Sequence, residues 1–283
     1  MPPGSDPHGP KGPRIGSWPP GGPEHCMGAT KSSSKPASQP AVAKGAPKYR
    51  RVLLKLSGEA FASQGGFGIE NDELDVIARE VCEASRVGTQ VAVVVGGGNI
   101  IRGAVLAEQG HIPQATADYM GMLGTVINAL ALKEKLLTLG QDSRVLSAIE
   151  IRAVAEPFIR GRAIRHLEKG RVVILAAGTG NPFFSTDTCA ALRATELEAE
   201  ILLKATKVDG VYTADPKKDP KATRYESLTF AEAISKNLRI MDMTALAMCQ
   251  EQKVPVLVFD FKKSGNIKRV VQGASIGTLV RPA

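Results

Sequence analysis

The chain has 283 residues, 43% of them apolar, with a formal net charge of +8. That length fits one large domain or two small ones. The longest apolar runs, VAVVV (91–95) and VVILAA (172–177), are far short of the ~20 residues a membrane span needs, so membrane spanning is not expected. Residues 1–48 carry six Lys/Arg against two acidic residues, so half of the net positive charge sits on that segment, and the charge is no argument for a nucleic-acid substrate. Cysteines stand at 26, 82, 189 and 249 with no CxxC pair, which suggests neither a disulfide framework nor a zinc site and fits a reducing, cytoplasmic setting.

Residues 1–48 hold eleven of the eighteen prolines. Rich in Gly and Ser and without apolar periodicity, they are expected to be a disordered extension, because they bury too little to offset chain entropy. They lack the apolar core of a secretory signal, and Met27 is an alternative start of translation. From Tyr49 to the C-terminus the pattern predicts one catalytic domain. A strand is expected over 51–56 and a helix over 71–86 with Asn71 as N-cap. A strand over 90–95 follows, then a long apolar helix over 114–139 stopped by Gly140. Next come a strand at 143–147, a helix at 162–168, a strand at 171–176 and a helix at 187–196. A strand at 200–204 leads into an Asp/Pro/Lys-rich loop, 207–225. Helices at 229–235 and 244–252 and a strand at 255–259 complete the prediction. Continuously apolar strands alternating with helices predict a three-layer αβα sandwich with a mostly parallel central sheet.

Ligands of such sheets bind beyond the carboxyl ends of the strands. Three glycine clusters fall there: Lys55-Leu56-Ser57-Gly58, Gly96-Gly97-Gly98-Asn99 with Arg102 and Gly103, and Gly178 to Asp187 (GTGNPFFSTD). Glycine lets backbone N–H groups turn towards an anion, and a following helix adds its positive end. One cluster alone would be an ordinary turn; three at successive strand ends imply an anionic ligand. The Walker A pattern fails because Ala104 stands where Lys is required, and the dinucleotide fingerprint fails at Ile101. His111 and His166 offer no hydrolytic constellation and are expected in surface or core roles.

The segments LLKLSGEA (53–60), GGGNIIRG (96–103), ADYMGMLGT (117–125), GTGNPFFSTD (178–187) and LKATKVDGVYTADPKKDP (203–220) resemble the bacterial UMP kinases of the amino acid kinase superfamily. The resemblance runs from about Tyr49 to the C-terminus. It implies the amino acid kinase-like fold and transfer of the γ-phosphoryl group of ATP to UMP, with Mg²⁺ carried by ATP and no protein metal site. It implies catalytic roles for Lys55, Asp187 and Lys204, where Asp187 orients the lysines and could also cap its helix. It assigns ATP to Lys55, Leu56, Ser57, Gly58, Gly98, Arg102, Thr206, Tyr212 and Asp215. It assigns UMP to Gly97, Asp118, Thr179, Gly180, Asn181, Pro182, Phe183, Phe184, Ser185 and Thr186. Ser63, Gln64, Gly65, Gly66, Phe67 and Gly68 match a region where GTP activates relatives; UTP inhibition, a homohexamer and a place in pyrimidine nucleotide synthesis are implied likewise. Relatives commonly carry Phe at position 212, so the Tyr212 hydroxyl is expected to be unimportant.

Two other readings stay open at this point. One is a non-catalytic nucleotide-binding protein on the same scaffold, which would not need Lys55, Asp187 and Lys204. The other is a kinase acting on a carboxylate such as aspartate or acetylglutamate, against which Asp118 and the 178–187 motif speak.

Overall fold

The computed structural model describes residues 46–63, 65–102, 110, 112–214, 216, 218–219 and 221–282. The expectation of disorder for residues 1–48 therefore lies almost wholly outside the described residues, as do those for Gln64, Gly103, His111 and Asp215. Of the extension, Lys48 is described, and its backbone N–H donates to the carbonyl of Val271 at 2.8 Å.

The described residues form a nine-stranded sheet: β1 (Arg51–Leu56), β2 (Gln90–Val95), β3 (Ser143–Ser147), β4 (Glu156–Pro157), β5 (Val172–Ala176), β6 (Ile201–Thr206), β7 (Ser227–Thr229), β8 (Val256–Asp260) and β9 (Thr278–Arg281). Its order is β4-β3-β5-β2-β1-β6-β8-β9-β7, parallel throughout except where β9 runs against β8. The helices are α1 (Asn71–Arg86), α2 (Gln114–Thr138), α3 (Arg160–Glu168), α4 (Thr186–Glu196), α5 (Phe230–Ser235), α6 (Met243–Glu251) and α7 (Asn266–Val271), with a 3₁₀ turn at Gly58–Phe61.

Alternation along each strand sends side chains to opposite faces. Val52, Leu54 and Leu56 of β1 pack with α1, α2 and α7, whereas Leu53 packs with α3, α4, α5 and α6. The central strands are buried on both sides, which is why they read as continuous apolar runs in the sequence. The expected three-layer αβα fold is what forms.

Several details differ from expectation. β4, β7, β9 and α7 were not expected; two to six residues long, they leave too little periodicity to read. Asn71 is the first residue of α1 rather than its cap; Glu70 holds the cap position without a side-chain bond. Asp187 does not cap α4 either. Ser185 does, accepting from the N–H groups of Asp187 and Thr188, which frees the Asp187 carboxylate for other partners. The helix expected over 229–235 starts one residue later because Thr229 and Glu232 form a capping box.

The second glycine cluster is held by a buried amide pair. Asn128 of α2 donates to the Gly96 carbonyl at 2.7 Å and to Asn99 Oδ1 at 2.7 Å. Asn99 returns a bond to Asn128 Oδ1 at 3.0 Å and donates to the Gly68 carbonyl at 2.6 Å. Both side chains are buried, so every unmade bond would cost its full desolvation. Asn128→Ala strands the Gly96 carbonyl and one side of Asn99. It is expected to lower the unfolding free energy by about 2 kcal/mol, read as a lower urea midpoint at unchanged slope.

Candidate active site

The strand order places the carboxyl ends of β5, β2, β1 and β6 side by side. The three glycine clusters leave the first three of these ends, and Thr206 closes the fourth. Lys55 of β1 and Lys204 of β6 are direct register partners on adjacent parallel strands. They point to the face covered by α4, the same face as Leu53 and Leu202. Two ammonium groups brought together at an apolar interior repel one another, and Asp187 in the first turn of α4 lies between them. Lys55 Nζ is 2.9 Å from Asp187 Oδ1, and Lys204 Nζ is 2.6 Å from Oδ2. All three side chains are only 11–15% exposed.

The two contacts are not equivalent. Lys204 is anchored twice, donating to Asp187 Oδ2 and also to the Ile240 carbonyl. The Lys55 contact is chiefly ionic: Oδ1 is buried and has no well-aligned hydrogen bond. Lys204 is thus held by two acceptors and Lys55 by one. Burial alone would raise the Asp187 carboxyl, but Lys55 and Lys204 outweigh it and hold its pKa below the usual value. Burial lowers the pKa of Lys204, and neighbouring Lys55 adds to this, against the pull of Asp187.

Beside this trio opens a cleft of about 340 Å³ lined by Gly97, Gly98, Asp118, Gly178, Phe184, Ser185 and Thr186 among others. The glycines divide the work. A Cβ on Gly58 would lie 2.4 Å from Gly98 N, and one on Gly97 would lie 2.6 Å from the Gly121 carbonyl of α2. These two permit close backbone packing. Gly98 meets nothing within 4 Å and faces open space.

The third loop is bent by left-handed residues: Ala177, Gly178, Gly180 and Phe183 all have positive φ. For Phe183 this conformation is strained by about 1–3 kcal/mol. Asp118 Oδ2 holds it by accepting from the Phe183 N–H at 2.8 Å. The Phe183 side chain is left 70% exposed. Thr179 Oγ1 bonds within the loop to Asn181. Arg193 supports the loop from below, its guanidinium 3.8 Å from the centre of the Phe158 ring and 3.4 Å from the Gly178 carbonyl.

Other expected site residues lie further out. Arg102 is exposed and paired with Glu59 at 2.8 Å. Thr206 Oγ1 bonds the Val208 and Phe259 carbonyls at the start of the 207–225 loop. The Tyr212 hydroxyl, expected to be idle, instead donates to Asp209 Oδ1 at 2.7 Å, and Arg224 lies 3.5 Å from the other Asp209 oxygen. Ser63, Gly65, Gly66, Phe67 and Gly68 form the loop before α1; Ser63 is fixed by Glu70, and Gly68 by Asn99. His166 is not in the cleft: it sits between Glu156 and Arg171 near β4.

Sequence reasoning missed Asp242, Ile240, Asn128 and Arg193. Asp242 accepts from Ser185 Oγ, from Thr188 Oγ1 at 2.9 Å and from Ala245 N at 2.9 Å. The only signal for Asp242 was its place before a helix, where it reads as an ordinary cap.

A depressed carboxyl pKa stabilises the fold above the unfolded value, about 3.9, and that stabilisation is lost as pH falls through the folded value. Lys55→Met removes one of the two cations, so Asp187 should titrate at higher pH and the acid limb of stability should move upwards. Urea unfolding of both proteins between pH 3 and 7 checks this; coincident acid limbs would contradict it.

The chain as a whole resembles known proteins. The amino acid kinase family matches residues 50–260. The UMP kinase of Bacillus anthracis is 40% identical, with a TM-score of 0.80 over 82% of this chain and 96% of its own. The UMP kinase of Ureaplasma parvum is 38% identical, with a TM-score of 0.78 over 83% and 99%. The uridylate kinase of Archaeoglobus fulgidus is 28% identical, with a TM-score of 0.63 over 81% and 99%. With three quarters of its length matched, and with this sheet and these strand-end loops, the chain belongs to the amino acid kinase family.

Proposed function

We propose that the chain is a UMP kinase, transferring the γ-phosphoryl group of ATP to UMP to give ADP and UDP. The observation that carries this is the Lys55–Asp187–Lys204 trio, whose Asp187 directly follows the cleft-lining Ser185 and Thr186, with Asp118 lining the same cleft. Two solved UMP kinases are about 40% identical over most of the chain, which supports a nucleoside monophosphate kinase.

The reaction asks for charge compensation and alignment more than for proton transfer. An oxygen of the UMP phosphate attacks the γ-phosphorus, the bond from that phosphorus to the β–γ bridging oxygen breaks, and ADP leaves. The attacking phosphate is already anionic, so no general base is required. Asp187 is unsuited to be one, since both its oxygens face ammonium groups. In this reading Lys55 swings towards the transferring phosphoryl, Lys204 steadies the departing charge, and Asp187 sets both. Gly98 presents its backbone to phosphate, and α4 adds the positive end of its dipole, while the N–H groups of Asp187 and Thr188 stay with the Ser185 hydroxyl. Asp118 accepts from the ribose hydroxyls while holding the Phe183 N–H. Leu56, Ser57, Gly58, Arg102, Thr206 and Tyr212 line the ATP side. Mg²⁺ would enter with ATP as part of the substrate.

Regulation and assembly extend the proposal. GTP activation through the Ser63–Gly68 loop is supported by its bonds to Asn99, which couple it to the second glycine cluster. UTP is the expected inhibitor. A homohexamer is supported by the exposed apolar stripe Tyr119, Leu123 and Ile127 along α2. A place in pyrimidine nucleotide synthesis follows from the proposed reaction, and a cytoplasmic setting is part of the same proposal. Among the described residues no helix is long and apolar enough to cross a membrane.

Purified protein with Mg²⁺ and ATP should release ADP in proportion to added UMP, and much less with CMP, dUMP, aspartate or acetylglutamate. Failure with every pyrimidine monophosphate would refute the assignment. Lys55→Ala and Asp187→Ala should each lower kcat by at least about 10²-fold. Asp118→Ala should raise the KM for UMP by about tenfold with a smaller effect on that for ATP.

A further inference from the structure

The loop between α5 and α6 approaches the trio from outside the cleft and holds it at two places. Its Ile240 carbonyl takes the ammonium of Lys204. Its Asp242 carboxylate takes the hydroxyl of Ser185. Ser185 has one proton and two lone pairs. It accepts from the backbone N–H groups of Asp187 and Thr188, both at 3.0 Å. Those two bonds occupy the acceptor side of the hydroxyl, and its proton goes to Asp242 Oδ2. The other carboxylate oxygen is filled by Thr188 Oγ1 and by Ala245 N, the cap of α6.

We infer that Asp242 is a positioning residue for phosphoryl transfer: it orients the Ser185 hydroxyl, which fixes the first turn of α4 and thereby the Asp187 carboxylate between Lys55 and Lys204. The inference rests on the proposed UMP kinase reaction. Three donors converge on Asp242, from Ser185, Thr188 and Ala245, so an acceptor-only group is required. An amide would turn its NH₂ towards one of the two hydroxyls. Facing Ser185, it would compete for the lone pairs that the Asp187 and Thr188 N–H groups use. Capping α6 alone would need neither Ser185 nor Thr188, and the bonds of these two hydroxyls to Asp242 join α6 to the catalytic turn.

Asp242 also acts through its charge. Lys204 is faced by Asp187 from α4, Lys55 from β1 and Asp242 from this loop; burial and Lys55 lower its pKa, and the two carboxylates raise it. Ser185→Ala keeps both carboxylates, whereas Asp242→Asn withdraws one of them.

The test compares steady-state transfer from ATP to UMP in the wild type, Asp242→Asn, Ser185→Ala and the double variant, with kcat referred to the folded fraction found by thermal melting. Asp242→Asn is expected to lower kcat about 10- to 100-fold, with the KM for ATP changed less than about threefold. Ser185→Ala should lower kcat similarly, and the double variant no further than the worse single one, because both break one linkage. The alkaline limb of the kcat–pH profile should move to lower pH in Asp242→Asn and move less in Ser185→Ala, which keeps both carboxylates. A helix cap without a positioning role would lower the melting temperature and leave kcat per folded enzyme and its pH profile unchanged; that result, or multiplicative losses in the double variant, overturns the inference. A crystal structure of Asp242→Asn supplies a readout independent of turnover. Ser185 Oγ should no longer bridge to position 242, and the Asp187 carboxylate should be displaced; an undisturbed first turn of α4 overturns the inference. A wild type inert towards UMP would overturn the assigned reaction instead, and the crystal structure would still decide the positioning role.

Discussion

Two lysines side by side on neighbouring strands, in a largely buried setting, are tolerable only because a carboxylate lies between them. At about 4 Å, like charges near a protein surface repel by roughly 4 kcal/mol, and burial adds a desolvation cost for each ion. Asp187 offsets both by giving one oxygen to Lys55 and the other to Lys204. Much of the surrounding architecture follows from that requirement. α4 must begin at the carboxyl ends of β1 and β6, its first turn must be held still, and Ser185 must cap it so that the aspartate does not have to. The net positive charge left over is what an incoming phosphate meets.

The glycine loops around this centre are less uniform than their sequences suggest. Gly58 and Gly97 are packing residues that let the first and second loops and α2 approach within backbone contact distance. Gly98 is open to the cleft. The Asn99–Asn128 pair keeps the second loop at fixed height and ties it to the loop before α1. The third loop instead keeps its shape through strain, with Asp118 holding the left-handed Phe183 in place. The bend leaves Phe183 and Phe184 exposed to solvent.

Legibility from sequence varied with the length of the signal. The central strands β1, β2, β5 and β8 and the long helices α1 and α2 were readable because continuous apolar runs and helical periodicity each report burial directly. The short strands β4, β7 and β9, at or beside the two edges of the sheet, were not, because two to four residues carry no period. In the site, Lys55, Asp187 and Lys204 stood out as charges at the ends of apolar strands or at a helix start. Asp242 and Asn128 did not, because a polar residue before a helix or within one has many ordinary uses, and only its partners show which one applies.

The sequence by itself determined the layered α/β architecture, the location of an anion site at the strand ends and the charged residues available to it, since these depend on local periodicity and on residues within one or two segments. Only the tertiary structure decided how those charges pair. The register of β1 against β6 sets Lys55 beside Lys204. The capping of α4 by Ser185 frees Asp187 to lie between them. The loop after α5 then fixes both through Ile240 and Asp242. Apart from the local Ser185 cap, these contacts join residues from 17 to 149 positions apart, and a side chain's choice among such partners is set by the geometry of the fold, to which local composition is blind.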